Sequence, residues 1–234
     1  MPPEEPAAGP TGSGPTALPP WASVLAVVAH PDDESFGLGA VVDAFAAGGA
    51  QVTVICLTEG ESSTLGAGTN LTRMRREELA TASRELGVAG TVLHHHPDGE
   101  LSDVCRHVLA GEVIDEVGST RADGLLVFDS SGVTGHPDHA AATSAALLAA
   151  EVLDLPVLAW TLPASVATQL NDELGLAFAG VLDEEIDIEL TVDRTLQVRA
   201  SKAHRTQAVP TSPLWRRLEL LGSKEHLRWL RPAR

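Results

Sequence analysis

The sequence predicts an α/β fold in which a doubly wound, mainly parallel β-sheet is flanked by helices. Short apolar runs rich in β-branched residues, such as SVLAVVA at 23–29 and QVTVICL at 51–57, alternate with longer segments that favour helix. Such runs are typical of strands buried on both faces. Glycines at 48–49 and at 87 punctuate the intervening segments. Parallel strands need helical crossovers of about this length, so the alternation favours one sheet covered on both faces.

The first 20 residues differ from the rest of the chain. The segment MPPEEPAAGPTGSGPTALPP contains seven of the fifteen prolines and few residues that could be buried. We therefore expect a disordered tail at 1–20 and a single domain at 21–234.

From residue 21 onward the predicted elements follow one another in order. A strand at 23–29, a helix at 36–47 and a strand at 51–57 make one β-α-β unit. The connection at 59–70 is rich in Gly, Ser and Thr and is long for a compact domain, so we expect it near a functional site. Further strands are predicted at residues 91–95, 124–129, 157–161 and 186–192, and further helices at 71–86, 103–117, 139–152, 194–207 and in a tryptophan-containing C-terminal segment.

Charge and composition disfavour several classes of protein. Thirty-two acidic residues against sixteen basic ones give a formal net charge of −16, which disfavours binding to nucleic acid or anionic lipid. The sequence lacks a bilayer-spanning apolar run and a secretion signal, so we expect a cytoplasmic protein that acts on a small molecule. Cys56 and Cys105 are too isolated for a disulfide scaffold or a metal clip and indicate buried thiols. The sequence leaves open whether the chain forms a homo-oligomer.

One tripeptide, His-Pro-Asp, occurs three times, at residues 30–32, 96–98 and 136–138. Nine histidines and fifteen prolines in 234 residues would produce well under one copy by chance, so the repetition indicates a function. Each copy follows a predicted strand, and in open α/β sheets ligands bind outside the carboxyl ends of the strands. We therefore expect the following side chains to meet at one sheet edge: His30, Asp32, Asp33, Asp98, His136, Asp138 and His139.

Imidazole and carboxylate groups without thiolates are typical ligands of a catalytic zinc or a non-haem iron. His30 and Asp33 lie three residues apart on a proline-stiffened turn, and His139 on a distant loop could supply a third ligand. The run His94-His95-His96 is not expected to form a metal site of its own, because consecutive strand residues point to opposite faces.

The remaining acidic and imidazole groups fit a hydrolytic reaction. Asp32 would take a proton from the water that the metal activates. His136, backed by Asp138, would donate a hydrogen bond to a developing oxyanion or a proton to a leaving amine.

The segments VVAHPDDESFGLGA at 27–40 and GHPDHAA at 135–141 resemble the LmbE/PIG-L family of metal-dependent N-deacetylases and amidases. The resemblance implies a Rossmann-like fold and a Zn²⁺ cofactor, with Fe²⁺ or another divalent metal as the alternative. It also implies substrates that are N-acylated amino sugars or their conjugates, including N-acetylglucosaminyl lipids and compounds related to the actinobacterial thiol mycothiol. By motif position it implies His30, Asp33 and His139 as metal ligands, Asp32 as general base and His136 as acid or electrostatic partner.

Weaker matches extend the resemblance from residue 24 to about 207. They imply substrate-binding roles for Arg75, for Asp98 in an Asp-Gly pair, and for His204 in the segment AHRTQ. Each residue also has a structural alternative, respectively a solvated arginine, a tight turn and a group that satisfies buried backbone. Thr134 stands where some sugar-processing members carry a tyrosine, and the chain has no tyrosine. The oxyanion role of that tyrosine would pass to His136 or be lost, and we include Thr134 among the substrate-binding candidates.

The first hypothesis is therefore a zinc-dependent hydrolase that removes an acyl group, most often acetyl, from an amide nitrogen of an N-acetylated amino sugar or its conjugate. A non-catalytic metal- or sugar-binding module is the alternative, but it would have no evident need for Asp32 beside Asp33. His30-Pro31-Asp32 with a distant histidine also fits the HxD…H ligands of an Fe(II) oxygenase, although we associate that chemistry with a jelly roll. The chain lacks a complete GxGxxG and a nucleophile elbow, which disfavours a dinucleotide site and a serine hydrolase.

Overall fold

The structure is a computed structural model that describes residues 17–65 and 70–233 of the chain. Most of the predicted tail, and residues 66–69 of the predicted 59–70 loop, lie outside the described residues. Within the described ranges, no helix is both long enough and apolar enough to cross a bilayer.

Seven strands form one sheet in the described part of the chain. They are β1 (Ser23–Val28), β2 (Gln51–Thr58), β3 (Gly90–His96), β4 (Gly124–Phe128), β5 (Val157–Thr161), β6 (Ile188–Thr191) and β7 (Lys224–Arg231). Their spatial order is β3-β2-β1-β4-β5-β7-β6. Strands β1 to β5 pair in parallel, whereas β7 pairs antiparallel with both β5 and β6. The predicted mainly parallel α/β sheet is confirmed.

The helices cover both faces of this sheet. They are α1 (Asp33–Phe36), α2 (Gly39–Ala47), α3 (Leu71–Glu85), α4 (Arg106–Thr120), α5 (Pro137–Leu153), α6 (Ala164–Leu174), α7 (Thr195–Ala203) and α8 (Pro213–Leu221). Alternate residues of β1 enter two separate apolar clusters: Val24 joins the core that includes residues of α2 and α3, and Leu25 the core that includes residues of α4 and α5. A strand buried on both faces has to be apolar throughout, which explains the unbroken run in the sequence.

Two predicted helices differ from the structure. The helix expected at 36–47 begins later, as α2 at Gly39, and the short helix α1 precedes it. Gly37 lies between them, where a Cβ would stand 2.3 Å from the ring of Phe128. The C-terminal segment contains α8 with Trp215, but it continues into the strand β7 with Trp229. The helix α6 was not predicted either.

The charged residues of β7 explain why it was missed. Its sequence, KEHLRWLR, does not alternate strictly between polar and apolar residues. It therefore shows neither the two-residue period of a strand nor the 3.6-residue period of a helix clearly. Two of its charges have distant partners: Glu225 accepts a hydrogen bond from Trp160 Nε1 at 2.7 Å, and Arg228 Nε lies 2.5 Å from Asp129 Oδ2. Such pairing makes buried charge tolerable and depends on tertiary structure.

The strand order fixes where a ligand can bind. From β1 the chain proceeds to β2 and β3 on one side, and later occupies β4 and β5 on the other. The topological switch therefore lies between β1 and β4, and the crevice outside their carboxyl ends is the expected position of a site.

Candidate metal centre and active site

The turn after β1 separates two neighbouring carboxylates. Asp33 folds back onto the strand end, where its Oδ2 accepts hydrogen bonds from the backbone N–H groups of Ala29 at 3.2 Å and His30 at 2.9 Å. Asp32 has a φ of 140°, which is strained for a residue other than glycine and persists only where the surroundings enforce it. Its Oδ2 lies 3.0 Å from an Nη atom of Arg75. Adjacent carboxylates thus have different partners.

Three predicted metal ligands converge above the switch point. His30 Nδ1 lies 3.2 Å from His139 Nε2, and the Asp33 oxygens lie 3.1 Å from His139 Nε2 and 3.6 Å from His30 Nδ1. Donors bonded tetrahedrally at about 2.0–2.1 Å stand roughly 3.3 Å apart, so these spacings suit a zinc-sized ion. Each side chain is at most 9% exposed. Burial would raise the pKa of the Asp33 carboxyl, but His139 and His30 hold that pKa well below its usual range.

The orientation of His30 is set by two further carboxylates. Its Nε2 lies 3.0 Å from Asp98 Oδ1 and 3.3 Å from Asp138 Oδ2. A histidine that donates one ring N–H to a carboxylate keeps the other nitrogen free to bind a metal. Asp98 lines the cavity beside the site, as a substrate-binding residue would, but its contact with His30 indicates a positioning role.

The structure gives Asp138 a different partner from the predicted one. Its carboxylate lies within 4.8 Å of a ring nitrogen of His136 but makes no side-chain hydrogen bond to it within the described residues. It is fully buried and accepts the backbone N–H groups of Gly99 at 2.8 Å and Leu101 at 3.1 Å, and it also contacts His30. The reason is the start of α5. There His136 is the N-cap, whose Nδ1 accepts the backbone N–H of Asp138 at 3.2 Å. The imidazole therefore contacts the backbone of Asp138 and not its carboxylate.

Thr134 also contacts a metal-ligand candidate. Its Oγ1 lies 2.8 Å from His139 Nδ1, and the Gly132 carbonyl lies 3.1 Å from the same nitrogen. With Nδ1 occupied, His139 presents Nε2 to the centre. Thr134 lines the cavity, so the predicted substrate contact stays open, but the observed contact is with His139.

Arg75 is bound within the protein rather than free for a substrate. Its guanidinium donates to the carbonyls of Gly60 at 2.7 Å and Pro31 at 2.5 Å, besides meeting Asp32, and it is 3% exposed. Burial raises the pKa of the Asp32 carboxyl to about 6, opposed by the charge of Arg75 and increased by that of Asp33. Arg75 thus holds Asp32 in place, although part of the Arg75 side chain also lines the cavity.

His204 was predicted to bind substrate, but the structure places it behind the turn rather than in the cavity. It is fully buried and absent from the described cavity lining, and its Nε2 lies 2.7 Å from Glu34 Oε1. Glu34 Oε2 in turn accepts the backbone N–H of Asp32 at 2.9 Å. The end of α7 packs on α1, so His204 supports the strained turn from behind. Gln207, in the same sequence segment, does line the cavity.

A cavity of about 320 Å³ opens beside these groups. His136 is half-buried in its wall, and its ring lies 4.6 Å from that of His30, centroid to centroid. Burial and the nearby imidazoles of His30 and His139 lower the pKa of His136. The cavity lining also includes Asp32, which leaves a carboxylate and an imidazole facing the same space beside the metal-ligand candidates.

The model of the PIG-L family, described as GlcNAc-PI de-N-acetylase, matches residues 25–150. This chain belongs to the PIG-L family. The match includes both motifs that carried the resemblance, and the family places the chain among hydrolases that act on amide bonds. Membership and the α/β sheet together disfavour the oxygenase alternative, as does the pairing of Asp32 with Arg75 in place of the histidines.

A curated relative agrees with this membership, and solved structures of deacetylases share the fold. The chain is 31% identical to 1D-myo-inositol 2-acetamido-2-deoxy-alpha-D-glucopyranoside deacetylase of Mycolicibacterium vanbaalenii, over 82% of each chain. It shares its fold with N,N'-diacetylchitobiose deacetylase from Pyrococcus horikoshii, at a TM-score of 0.64 and 22% identity over 90% of this chain and 84% of the other. A zinc-inhibited form of teicoplanin deacetylase Orf2 matches with a TM-score of 0.66 and 19% identity, over 88% and 97% of the two chains.

Two cavity residues, Gln207 and Arg217, lie outside the segment matched by the PIG-L family model, and no sequence pattern indicated the second. Arg217 in α8 is 4% exposed, donates to the Phe36 carbonyl and stacks 4.9 Å above the Trp160 ring. Its Nε has no hydrogen-bond partner within the described residues, and burial lowers its pKa to about 10. Arg217 therefore remains charged at neutral pH. The sequence offered no signal for it, because α8 reaches the cavity only through tertiary packing.

Proposed function

We propose that this protein removes an acetyl group from the amide nitrogen of an amino sugar or amino-sugar conjugate, with a zinc ion held by His30, Asp33 and His139. The observation that carries the proposal is the convergence of these donors beside Asp32 in one cavity. Two imidazoles and one carboxylate are a donor set typical of hydrolytic zinc sites, which keep a position open for water.

When bound there, the metal would lower the pKa of a water molecule and polarise the amide carbonyl. Asp32 accepts the proton of the attacking water, since it lines the cavity and is left out of the ligand set, and then delivers that proton to the amine nitrogen as the C–N bond breaks. Arg75 fixes the orientation of the carboxylate through the 3.0 Å contact. Burial and the Arg75 charge act on its basicity in opposite directions, which keeps it both ionised near neutral pH and able to take a proton.

His136 stabilises the developing oxyanion. Its Nδ1 accepts a backbone N–H, so in the neutral ring the proton is on Nε2. A neutral donor suits an oxyanion better than it suits proton transfer to an amine, and the Asp138 carboxylate bonds to His30 rather than to the His136 side chain, which favours the same role. This assigns to His136 the function that a tyrosine would otherwise provide.

The substrate class follows from the relatives and from the cavity. The Mycolicibacterium vanbaalenii relative is named as acting on an acetamido sugar joined to inositol. A cavity of about 320 Å³ lies at the small end of the range for ligand sites, which suits one sugar ring with its acetamido group. We retain the cytoplasmic location and the single domain at 21–234 as predictions.

The test is release of free amine from a panel of acetamido sugars, including N-acetylglucosamine, N,N'-diacetylchitobiose and an N-acetylglucosaminyl inositol. Zinc is titrated from below to above one equivalent per chain, because a zinc-inhibited form exists for the teicoplanin enzyme. We expect amine release from at least one sugar, and none from the His139→Ala protein. Binding of sugars without release at any zinc level would support a binding module instead.

A further inference from the structure

A second group of possible metal ligands lies away from the active site, between the edge strand β3 and the helix α4. His94 and His96 are two residues apart on β3, so their side chains share one face. Glu112 of α4 reaches both, with its Oε1 3.3 Å from His94 Nδ1 and 3.0 Å from His96 Nε2. One ligand atom from each of the three residues lies within 4.8 Å of the others.

The intervening histidine explains why a metal site was not expected in this run. His95 points to the opposite face, where its Nδ1 lies 3.2 Å from Glu59 Oε1. Three consecutive histidines cannot converge on one ion, but two of them can when a third ligand comes from another element.

We propose that His94, His96 and Glu112 form a second divalent metal site, which takes zinc and joins β3 to α4. Two imidazoles with one carboxylate are ligands that zinc accepts readily. The rings of His94 and His96 lie side by side on the same face of β3, with centroids separated by 6.1 Å, and Glu112 contacts a nitrogen of each. The three side chains are 18–26% exposed, which leaves access for the ion and for water ligands.

The site would restrain a segment that supports the active site. His96 ends β3, and two residues later Asp98 contacts His30 Nε2 at 3.0 Å. An ion on His96 and Glu112 ties the end of this strand to α4, and so limits movement of the loop that carries Asp98. The role is structural, and it does not depend on the proposed deacetylase reaction.

The experiment counts zinc per chain in untagged, chelator-treated protein that is re-equilibrated with zinc by dialysis. We expect two zinc ions in the wild type, one in His139→Ala, one in the His94→Ala/His96→Ala protein and none when all three changes are combined. His95→Ala is the matched control, since it changes the same strand on the opposite face, and it should keep two ions.

Glu112→Gln provides a variant that keeps both histidines and the size of the third side chain. Loss of a direct ligand should weaken the second site by more than about tenfold, since even outer partners of metal ligands are worth that much. An unchanged zinc count in the His94→Ala/His96→Ala protein, or no zinc in His139→Ala, would refute the second site. One ion in the wild type that persists in His139→Ala would support the second site and refute the first.

Discussion

The residue Asp32 combines a strained backbone with a buried carboxylate held by an arginine. Its φ of 140° and the 3.0 Å contact with Arg75 hold the side chain toward the cavity and away from the ligand cluster. Strain of this kind persists where it serves function. It distinguishes Asp32 from Asp33, which is identical in chemistry and adjacent in sequence.

Replacing Asp32 by Asn should lower turnover by about 100-fold or more, because the amide cannot accept the proton. Zinc content should stay at the wild-type level, since Asp32 is outside the ligand set. Rate constants and metal per chain are measured on the same preparations, with Asp172→Asn on the exposed face of α6 as control. Retention of more than about a tenth of the wild-type rate would rule out Asp32 as the base.

Arg75 and Arg76 make a matched pair for testing the positioning of Asp32. Arg75 is 3% exposed and contacts Asp32, whereas Arg76 has a side chain that is 57% exposed and pairs with Glu59. We expect Arg75→Met to lower kcat by about tenfold or more, as a misplaced base does, with little change in KM. Arg76→Met should leave both constants unchanged. A rise in KM alone for Arg75→Met would instead indicate direct substrate binding.

Thr134 should affect metal affinity through the ring of His139. Thr134→Val removes the 2.8 Å contact to Nδ1 at nearly constant side-chain volume. It should weaken zinc binding by about tenfold, which is the lower end of the usual loss when a partner of a metal-bound histidine is removed. The loss is small because the Gly132 carbonyl still contacts Nδ1. Chelator competition measures this, and Thr134→Ser should restore the affinity. Wild-type affinity in the valine variant would show that the hydroxyl does not orient His139.

At the scale of elements, α1 and α7 are joined by a buried ion pair. Burial by itself would lower the pKa of His204. The Glu34 carboxylate, 2.7 Å away, raises the pKa by more than burial lowers it, so the pKa lies above its ordinary value. A group whose pKa is raised on folding stabilises the protein fully below its unfolded pKa. That contribution is lost as the pH rises through the folded pKa.

The stability difference between wild type and His204→Gln should therefore be larger near pH 6 than near pH 9. The reason is that the charged pair exists in the folded state only while His204 is protonated. Urea unfolding of the metal-free proteins across this range gives the free energy of unfolding for each. His107→Gln, exposed at the start of α4, is the control and should follow the wild type. A difference that grows with pH would contradict the raised pKa.

At the scale of the whole molecule, the proposed metal centre joins loops that are 109 residues apart in the chain, at His30 and His139. An ion that binds the folded state alone stabilises it by about 2.7 kcal/mol at a hundredfold excess over Kd. For a chain of this size that corresponds to roughly 5–10 °C in Tm.

Chelator should lower the Tm of the His94→Ala/His96→Ala protein by roughly 5–10 °C, and added zinc should restore the Tm. This background removes any contribution of the second site. The same treatment should leave the Tm of the His94→Ala/His96→Ala/His139→Ala protein unchanged. Equal Tm values with and without zinc in the first protein would argue against an ion at the active site.

The sequence by itself determined the type and order of most elements and indicated the residues that meet at the proposed metal centre. Unbroken apolar runs indicated strands buried on both faces, and the motifs at 30–33 and 136–139 follow strands whose carboxyl ends must share one edge. These are local patterns, and the rules of sheet topology convert them into proximity. The strand β7 escaped prediction because its charges at Glu225 and Arg228 are paired with Arg194 and Asp129, which are remote in sequence.

Tertiary structure alone decided which atom faces which within the site. Asp138 and Asp98 contact His30, Thr134 contacts His139, and His204 lies behind the turn rather than in the cavity. These pairings depend on rotamers and helix positions set by packing between distant segments, and no local pattern encodes them. For the same physical reason, His94 and His96 acquired a common partner only when α4 placed Glu112 against the edge strand.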